Sequence, residues 1–194
     1  MTTEKPTNET LKKSQIANSL RKLYFTRAAF SIIWITLVSI FANSSPSIGA
    51  ILLIIYPVWD VIGTFLDIRA NRGSASFAPQ YTNAVISIIT AITVAFALTK
   101  DVPSAIIVFG IWACLTGAIQ LFLGLKRRKE FGGQWPMIIS GGQSFLAGIS
   151  IIVLAHDPEH GIASLAVYSA FGAFYYILAA IRLTKSAREA AVSL

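Results

Sequence analysis

Long apolar runs separated by short polar links dominate the pattern of hydrophobic and polar positions along the chain. Six runs are close to the roughly 20 residues that a helix needs to cross about 30 Å of hydrocarbon. They cover approximately residues 24–42, 48–68, 82–98, 104–125, 136–155 and 162–183. Because the links are short, neighbouring helices must be antiparallel. The pattern therefore predicts an all-α, polytopic membrane protein whose six transmembrane helices form three tandem α-hairpins, at about residues 24–70, 80–128 and 134–184.

Polar stretches flank this membrane domain, which we place at residues 23–185. The first 22 residues are polar and charged, and residues 186–194 close the chain after the last apolar run. They predict a polar N-terminal tail over 1–22 and a short C-terminal tail over 186–194. A basic, amphipathic helix on the membrane surface, from about residue 10 to 24, is the alternative for the N-terminal segment.

The distribution of basic residues predicts the orientation of the helices. All but one of the 16 lysines and arginines fall in the tails, in the second and fourth links or in the adjoining helix ends, and Lys100 is the exception. Cationic segments remain on the cytoplasmic side of a membrane. We therefore expect a multi-pass protein of the cell (inner) membrane with both termini in the cytoplasm. The basic inner face is expected to contact anionic lipid headgroups.

Composition and missing motifs exclude several classes of protein. Hydrophobic residues make up 55% of the chain and charged residues only 13%, against about 25% charged in soluble domains. The basic residues lie between apolar runs rather than on one face with base-reading side chains, which argues against a nucleic-acid binder. There is no Gly-rich phosphate loop, GxSxG or HExxH motif. We therefore expect no enzyme, no catalytic residues, no cofactor and no structural metal site.

A repeat relates the three even-numbered runs. Each follows a proline, at Pro46, Pro103 and Pro158. A small or acidic residue lies 14 positions after each proline, at Asp60, Gly117 and Gly172. Proline suits a helix start, and small residues let membrane helices approach closely. The repeat predicts that the second helix of each hairpin is its packing helix.

Glycines also mark the fifth run. Gly141 and Gly148 are seven positions apart, so they lie on the same face of a helix. They predict a closely packed helix at the centre of the bundle.

Asp60 is the most informative single side chain, because it lies about 10 residues from the inner end of its run, about 15 Å deep at 1.5 Å per residue. A carboxylate at such depth is costly and commonly marks a proton or ion path or a paired interior site. One hypothesis is a proton-titrating group that responds to acidification. The other is a helix-locking group that is hydrogen-bonded to a polar neighbour such as Asn83, Gln120 or Gln143.

Arg27 and Asp67 lie at matching depths, each about one turn inside the basic boundary of adjacent antiparallel helices. Opposite charges at one depth offset part of each other's burial cost. We therefore predict a structural ion pair between them.

The link His156-Asp157-Pro158-Glu159-His160 combines two imidazoles with two carboxylates on the side opposite the basic face. Histidine changes charge near pH ~6.5, so the four ionisable residues are candidates for an acid-sensing loop. Two other interpretations are a polar loop without a function and, since the histidines are spaced i, i+4, a zinc-binding pair.

Two segments of sequence carry a family resemblance: WDVIGTFLDIRANR at 59–72 and WACLTGAIQLFLGLKRRKEFGGQWPMIISGG at 112–142. In the second, a helix ends in a basic cluster, turns through Gly132-Gly133 and restarts with an aromatic residue before a Gly-rich helix. Together with the six-span hairpin plan, these segments resemble the HdeD-like small acid-resistance membrane proteins of bacteria. The resemblance implies an inner-membrane protein linked to survival at low pH or to envelope stress, with no catalytic residues to carry over.

Three functions therefore compete. The first is a non-enzymatic, stress-associated membrane protein of the HdeD-like kind. The second is a small transporter or a proton- or ion-conducting channel with Asp60 in its path, and the third is a lipid or protein scaffold that uses the basic face. A homo-oligomer is a candidate assembly for any of them.

The predicted orientation can be tested with reporter fusions at the first and last residues. Both reporters should be active on the cytoplasmic side, because the basic residues lie at the helix ends nearest the two termini. Reporters active on opposite sides, or a chain that is soluble without detergent, would contradict the predicted topology.

Overall fold

Six long helices make up the part of the chain that the structure describes. The computed structural model describes residues 8–70, 77–131 and 134–192, with side chains described at 14–70, 77–129 and 134–184. The helices are α1 (Asn8–Phe41), α2 (Pro46–Ala70), α3 (Ala78–Leu98), α4 (Val102–Phe131), α5 (Trp135–Leu154) and α6 (Leu165–Val192), and one 3-10 turn, Ile162–Ser164, precedes α6. Each helix is long and apolar enough to cross a membrane, and the described residues contain no strand. The predicted all-α fold with six membrane-spanning helices is confirmed.

Several helices extend beyond the apolar runs that predicted them. Helix α1 begins at Asn8, inside the predicted N-terminal tail, and continues without a break to Phe41. Helices α4 and α6 likewise continue to Phe131 and Val192. The added segments are rich in Lys, Arg, Ala and Leu, which favour helix, so hydropathy marks the apolar part of a helix rather than its end. The expectations for residues 1–7, for Arg72 and for the Gly132-Gly133 turn lie outside the described residues.

The helices pack in chain order around a ring, and α1 packs against α6 to close it. Neighbouring helices run in opposite directions, so the ring has two distinct ends. We call the end that carries the starts of α1, α3 and α5 the basic end, because Arg69 of α2 and the basic cluster of α4 lie there. The opposite end carries the links at 42–45, 99–101 and 155–161.

Polar and apolar side chains are distributed as a bilayer requires, with the large apolar residues facing outward. Ile33, Phe96 and Val153 are 60%, 71% and 73% exposed. The buried polar side chains are Ser31, Thr64, Asp67, Gln80, Asn83, Ser87, Thr90, Gln134, Ser140 and Ser169. An apolar surface of this extent would aggregate in water but is stable in hydrocarbon.

Two apolar clusters fill the bundle at different levels. The opposite-end cluster consists of Trp34, Val38, Leu52, Leu53, Val94, Ala105, Phe109, Trp112, Ala113, Ile162 and Leu165. The basic-end cluster is smaller and consists of Leu20, Leu23, Tyr24, Met137, Ala179, Ala180 and Leu183. The larger cluster joins α1, α2, α3, α4 and the start of α6, so the bundle is well packed towards the opposite end.

Glycines bring the backbones of α4 and α5 into direct contact. A Cβ atom placed on Gly117 would lie 2.8 Å from the carbonyl oxygen of Gly141, and one placed on Gly148 would lie 2.6 Å from that of Gly110. These distances are too short for any side chain. The close packing predicted for the Gly141 and Gly148 face is confirmed. Its partner is the face of α4 that carries Gly110 and Gly117, which are also seven positions apart.

The prediction that this helix is central is wrong. Helix α5 is one member of the ring, and its outward face carries Leu146 and Val153, which are 64% and 73% exposed. The glycines bring it close to one neighbour only, because both lie on a single face.

The repeated prolines have different surroundings. Pro46 and Pro103 lie in the first turn of α2 and α4, as predicted, whereas Pro158 lies in the link before the 3-10 turn. Of the residues 14 positions later, Gly117 packs against α5.

The variant Gly141→Ala tests the glycine contact. The added Cβ would lie 2.5 Å from the backbone nitrogen of Leu121, so we expect the free energy of unfolding in detergent to fall by about 1–3 kcal/mol. A Cβ atom on the neighbouring Gly142 would have no other atom within 4 Å, and Gly142→Ala should be neutral or stabilising by up to about 1 kcal/mol. Equal effects of the two variants on unfolding would contradict backbone contact between α4 and α5.

Candidate functional site

One face of α2 carries two aspartates and a threonine into the bundle interior. Asp60, Gly63, Thr64 and Asp67 are spaced i, i+3, i+4 and i+7, so they form one stripe along the helix. Gly63, Thr64 and Asp67 are buried, and the Asp60 side chain is 14% exposed. The stripe therefore places two carboxylates inside the ring, about 10 Å apart along the helix axis.

Asp60 is bound from two neighbouring helices. Arg27 Nη1 in α1 donates to Oδ1 at 2.8 Å. Asn83 Nδ2 and Ser87 Oγ in α3 donate to Oδ2 at 2.6 and 2.8 Å. Both carboxylate oxygens are thus occupied, and three donors offset the cost of burying the charge.

The hydrogen bonds continue from these partners to other helices. Trp112 Nε1 in α4 donates to Ser87 Oγ at 2.9 Å, and Arg27 Nη1 lies 3.1 Å from the hydroxyl oxygen of Tyr176 in α6. A Cβ atom on Gly63 would lie 2.7 Å from Arg27 Cζ, so the glycine leaves space for the guanidinium group. This network, centred on Asp60, connects five of the six helices.

A second ion pair lies nearer the basic end. Arg127 Nη2 in α4 donates to Asp67 Oδ2 at 2.5 Å, and both side chains are almost fully buried. Beside it, the Tyr24 hydroxyl donates to Gln134 Oε1 at 3.3 Å, which connects α1 with the start of α5.

The two ion pairs correct the predicted pairing of Arg27 with Asp67. Asp67 still interacts electrostatically with Arg27, but the direct hydrogen-bonded partner of Arg27 is Asp60. The long arginine side chain extends deeper than its own Cα, and Gly63, which has no side chain, leaves space for it. Asp67 is instead bound by Arg127, which α4 carries to the same level.

A cavity of about 140 Å³ lies between the two apolar clusters, and all six helices line it. Its floor is formed by Tyr56, Trp112 and Tyr168, whose rings pack against Phe109 at centroid distances of 5.7, 5.0 and 5.9 Å. Phe109 is fully buried in the opposite-end cluster. The cavity therefore occupies the half of the bundle nearer the basic end and is closed at mid-depth.

Three polar atoms on the cavity wall have no hydrogen-bond partner among the described residues. They are Trp59 Nε1, Gln80 Oε1 and Gln134 Nε2. Gln134 is fully buried and Gln80 is 4% exposed. Buried polar atoms are normally paired, so these three point to something held in the cavity.

The sequence-predicted polar residues all reach this cavity, but their contacts differ. Asn83 binds Asp60 as predicted. Gln120 Nε2 instead donates to the backbone carbonyl of Met137 at 3.3 Å, and Gln143 lines the wall. Ser87 was missed, although its i, i+4 spacing from Asn83 places both on one face of α3 and could have indicated it.

Arg127 and Tyr176 were also missed. Arg127 belongs to a run of four basic residues, so the sequence does not distinguish it from its neighbours. Tyr176 is one of two adjacent tyrosines in α6, and only the rotation of the helix decides which of them contacts Arg27.

Residues of the candidate acid-sensing loop contact one another. Asp157 Oδ1 accepts a hydrogen bond from the Glu159 backbone N–H at 2.9 Å, and Asp157 Oδ2 lies 3.3 Å from His160 Nδ1. The side chains of Asp157 and His160 are each 40% exposed. No group of three His, Cys, Asp or Glu residues within the described ranges could hold a metal ion.

Asp101, in the neighbouring link at the opposite end, faces the same loop. Hydrogen bonds from the side chain and the backbone N–H of Ser104 lower the pKa of Asp101, and the charges of Lys100 and His156 lower it further. The hydrogen bond to the Ser104 N–H is 2.6 Å long. Because the pKa is lowered in the folded protein, this stabilisation is present at neutral pH and is lost only when the pH falls through the lowered value.

Residues 82–153 match the model of DUF308, described as a short repeat of unknown function. The match covers α3 from Thr82, all of α4 and α5 to Val153. It therefore includes Arg127, the glycine contact of α4 with α5, and the two α3 residues that bind Asp60, Asn83 and Ser87. Arg27 and Asp60 themselves lie outside it. No curated protein and no solved structure matches the chain.

The variant Asp60→Asn tests the central ion pair. It removes the hydrogen-bonded counter-charge of Arg27, and we expect the free energy of unfolding to fall by about 2–4 kcal/mol. Combining it with Arg27→Met should restore at least about 1 kcal/mol, because the unpaired charge is then removed. The exposed Lys100→Met is the control and should change stability by no more than about 0.5 kcal/mol. All four proteins are compared by unfolding in detergent. Additive losses in the double variant would contradict direct coupling between Arg27 and Asp60.

Proposed function

We propose that the chain is a non-enzymatic, multi-pass membrane protein of the HdeD-like kind, associated with acid resistance or envelope stress in a bacterium. The observation that supports this most directly is the match of residues 82–153 to DUF308. That repeat occurs in the family that includes HdeD-like membrane proteins. The matched segment also contains the whole 112–142 stretch that carries part of the resemblance.

In this proposal the protein lies in the inner membrane with both termini in the cytoplasm. The basic end then faces anionic headgroups of the inner leaflet, where Arg128 Cζ lies 5.3 Å from the centre of the Trp135 ring. Tryptophan and arginine together suit this interface. The loop with His156, Asp157, Glu159 and His160 then faces the side from which acid arrives.

Acid would act on that loop by adding positive charge to its imidazoles. Asp157 already lies 3.3 Å from His160 Nδ1, and His156 interacts electrostatically with Asp101. The lowered pKa of Asp101 keeps its carboxylate negative when histidines protonate. Protonation therefore strengthens two contacts at the opposite end instead of creating repulsion there.

The alternative, a transporter or channel with Asp60 in its path, is less well supported. Three donors already bind the carboxylate of Asp60, so only one of its four lone pairs is left for a passing ion. Beyond Asp60, the opposite-end cluster fills the bundle. Ion flux in liposomes at about pH 5 and 7 should therefore stay at the level of protein-free vesicles. A flux that Asp60→Asn abolishes would favour transport.

Cell survival tests the acid-resistance proposal. Cells that lack the protein should survive acid exposure less well than cells that carry it. The double variant His156→Gln, His160→Gln should lose part of the protection, because neither side chain can then gain charge. Lys100→Gln, in the 99–101 link at the same end, is the matched control and should protect fully. Membrane levels of each variant, measured by immunoblot, must be equal. Full protection by the histidine variant would contradict the loop's role, and unchanged survival without the protein would contradict the proposal itself.

A further inference from the structure

The three unpartnered polar atoms of the cavity include both hydrogen-bonding types. Gln80 Oε1 is an acceptor, and Gln134 Nε2 and Trp59 Nε1 are donors. Gln80 and Gln134 lie in or just before the first turn of α3 and α5, at the basic end, whereas Trp59 lies deeper in α2. The glutamines therefore present a donor and an acceptor at the same end of the cavity, suited to a group that can both accept and donate.

The charges that line the cavity cancel. Arg27 is paired with Asp60, and Arg127 is paired with Asp67. No other Asp, Glu, Lys or Arg contributes to the described wall. A charged solute would lose its hydration without gaining an unpaired counter-charge, so the cavity favours a solute of zero net charge.

The volume of the cavity and the side chains that line it indicate the size and shape of a molecule that would fit there. A volume of about 140 Å³ is close to the roughly 150 Å³ of an engineered apolar cavity that holds benzene. Phe171, Tyr175 and Tyr176 line one side, on α6, next to Gly172. A cavity with the volume of one aromatic ring and aromatic side chains along one side suits a flat, apolar group.

We propose that the cavity is a binding site for a small neutral molecule, about the size of one aromatic ring, with a head group that both donates and accepts hydrogen bonds. The head group pairs with Gln80 and Gln134 at the basic end, and the apolar body extends towards Phe171 and Gly172. The site is a blind pocket, since Tyr56, Trp112 and Tyr168 close its floor. This inference does not rest on the acid-resistance proposal, and either can fail alone.

Benzamide is a suitable probe, because it is neutral, has one ring and carries a carboxamide. Saturation-transfer NMR and calorimetry on the full chain in detergent should show saturable binding at concentrations up to about 10 mM, as expected for so small a ligand. Protein-free micelles correct for partition into detergent. Benzoate, its anionic counterpart, should bind at least about tenfold more weakly. Equal binding of benzoate would overturn the neutrality of the site, and absence of saturable benzamide binding, as for a cavity that holds water only, would overturn the proposal.

A matched pair of glycine variants locates the bound probe. Gly172 lines the cavity and Gly142 does not, and neither has an atom within 4 Å of a Cβ position. Gly172→Leu should fill the cavity and weaken benzamide binding at least about tenfold, whereas Gly142→Leu should change it less than about twofold. Equal effects of the two variants would place the probe outside the cavity and overturn the assignment.

A second variant keeps the test decisive if Gly172→Leu does not fold. Gln80→Met preserves the volume of the side chain and removes its amide group, whose oxygen no described residue uses. It should weaken benzamide binding about three- to tenfold while leaving the unfolding temperature within the error of the wild type. Unchanged affinity would show that Gln80 does not hold the head group.

Discussion

The ion pair of Arg27 with Asp60 is the interaction on which the bundle depends. A charged side chain inside a membrane is costly unless it is paired, and Asp60 is paired with a guanidinium and bound by two further donors. Because its ligands come from α1 and α3, and the ligands themselves bind α4 and α6, loss of the pair would weaken a network that joins five helices. The pair also requires an interior wide enough for an arginine and polar enough to solvate it. A close-packed apolar core could not satisfy that requirement.

The glycine contact between α4 and α5 meets a different constraint. Apolar side chains gain little from packing against each other in lipid, so membrane helices associate best where their backbones approach. Gly110 and Gly117 meet Gly148 and Gly141 in this way. This contact fixes the rotation of α4, and with it the direction of Arg127. Close contact on one side of the ring and long polar side chains on the other leave a cavity between them.

The sequence predicted those features that a single helix determines. The six spans follow from bilayer thickness, and the glycine face of α5 follows from helical periodicity. Asn83 was identified as a partner of Asp60 because few polar residues lie at its depth. The pairing of Arg27 with Asp67 failed because counting along helices gives the depth of each Cα, not the reach of a long side chain. Arg127 was hidden among equivalent basic residues, since its inward direction depends on the packing of α4 against α5.

The asymmetry along the bundle axis decides between a pocket and a pathway. Towards the basic end, the interior carries two ion pairs and two glutamine amides, each with one atom that has no partner among the described residues. Towards the opposite end, Phe109 lies fully buried among aromatic rings, and Trp34 Nε1 donates to the carbonyl oxygen of Leu52 at 2.8 Å. A solute leaving in that direction would have to displace packed rings and break this hydrogen bond in hydrocarbon, where no water replaces it. The fold therefore suits a protein that holds a small molecule within the membrane better than one that passes it across.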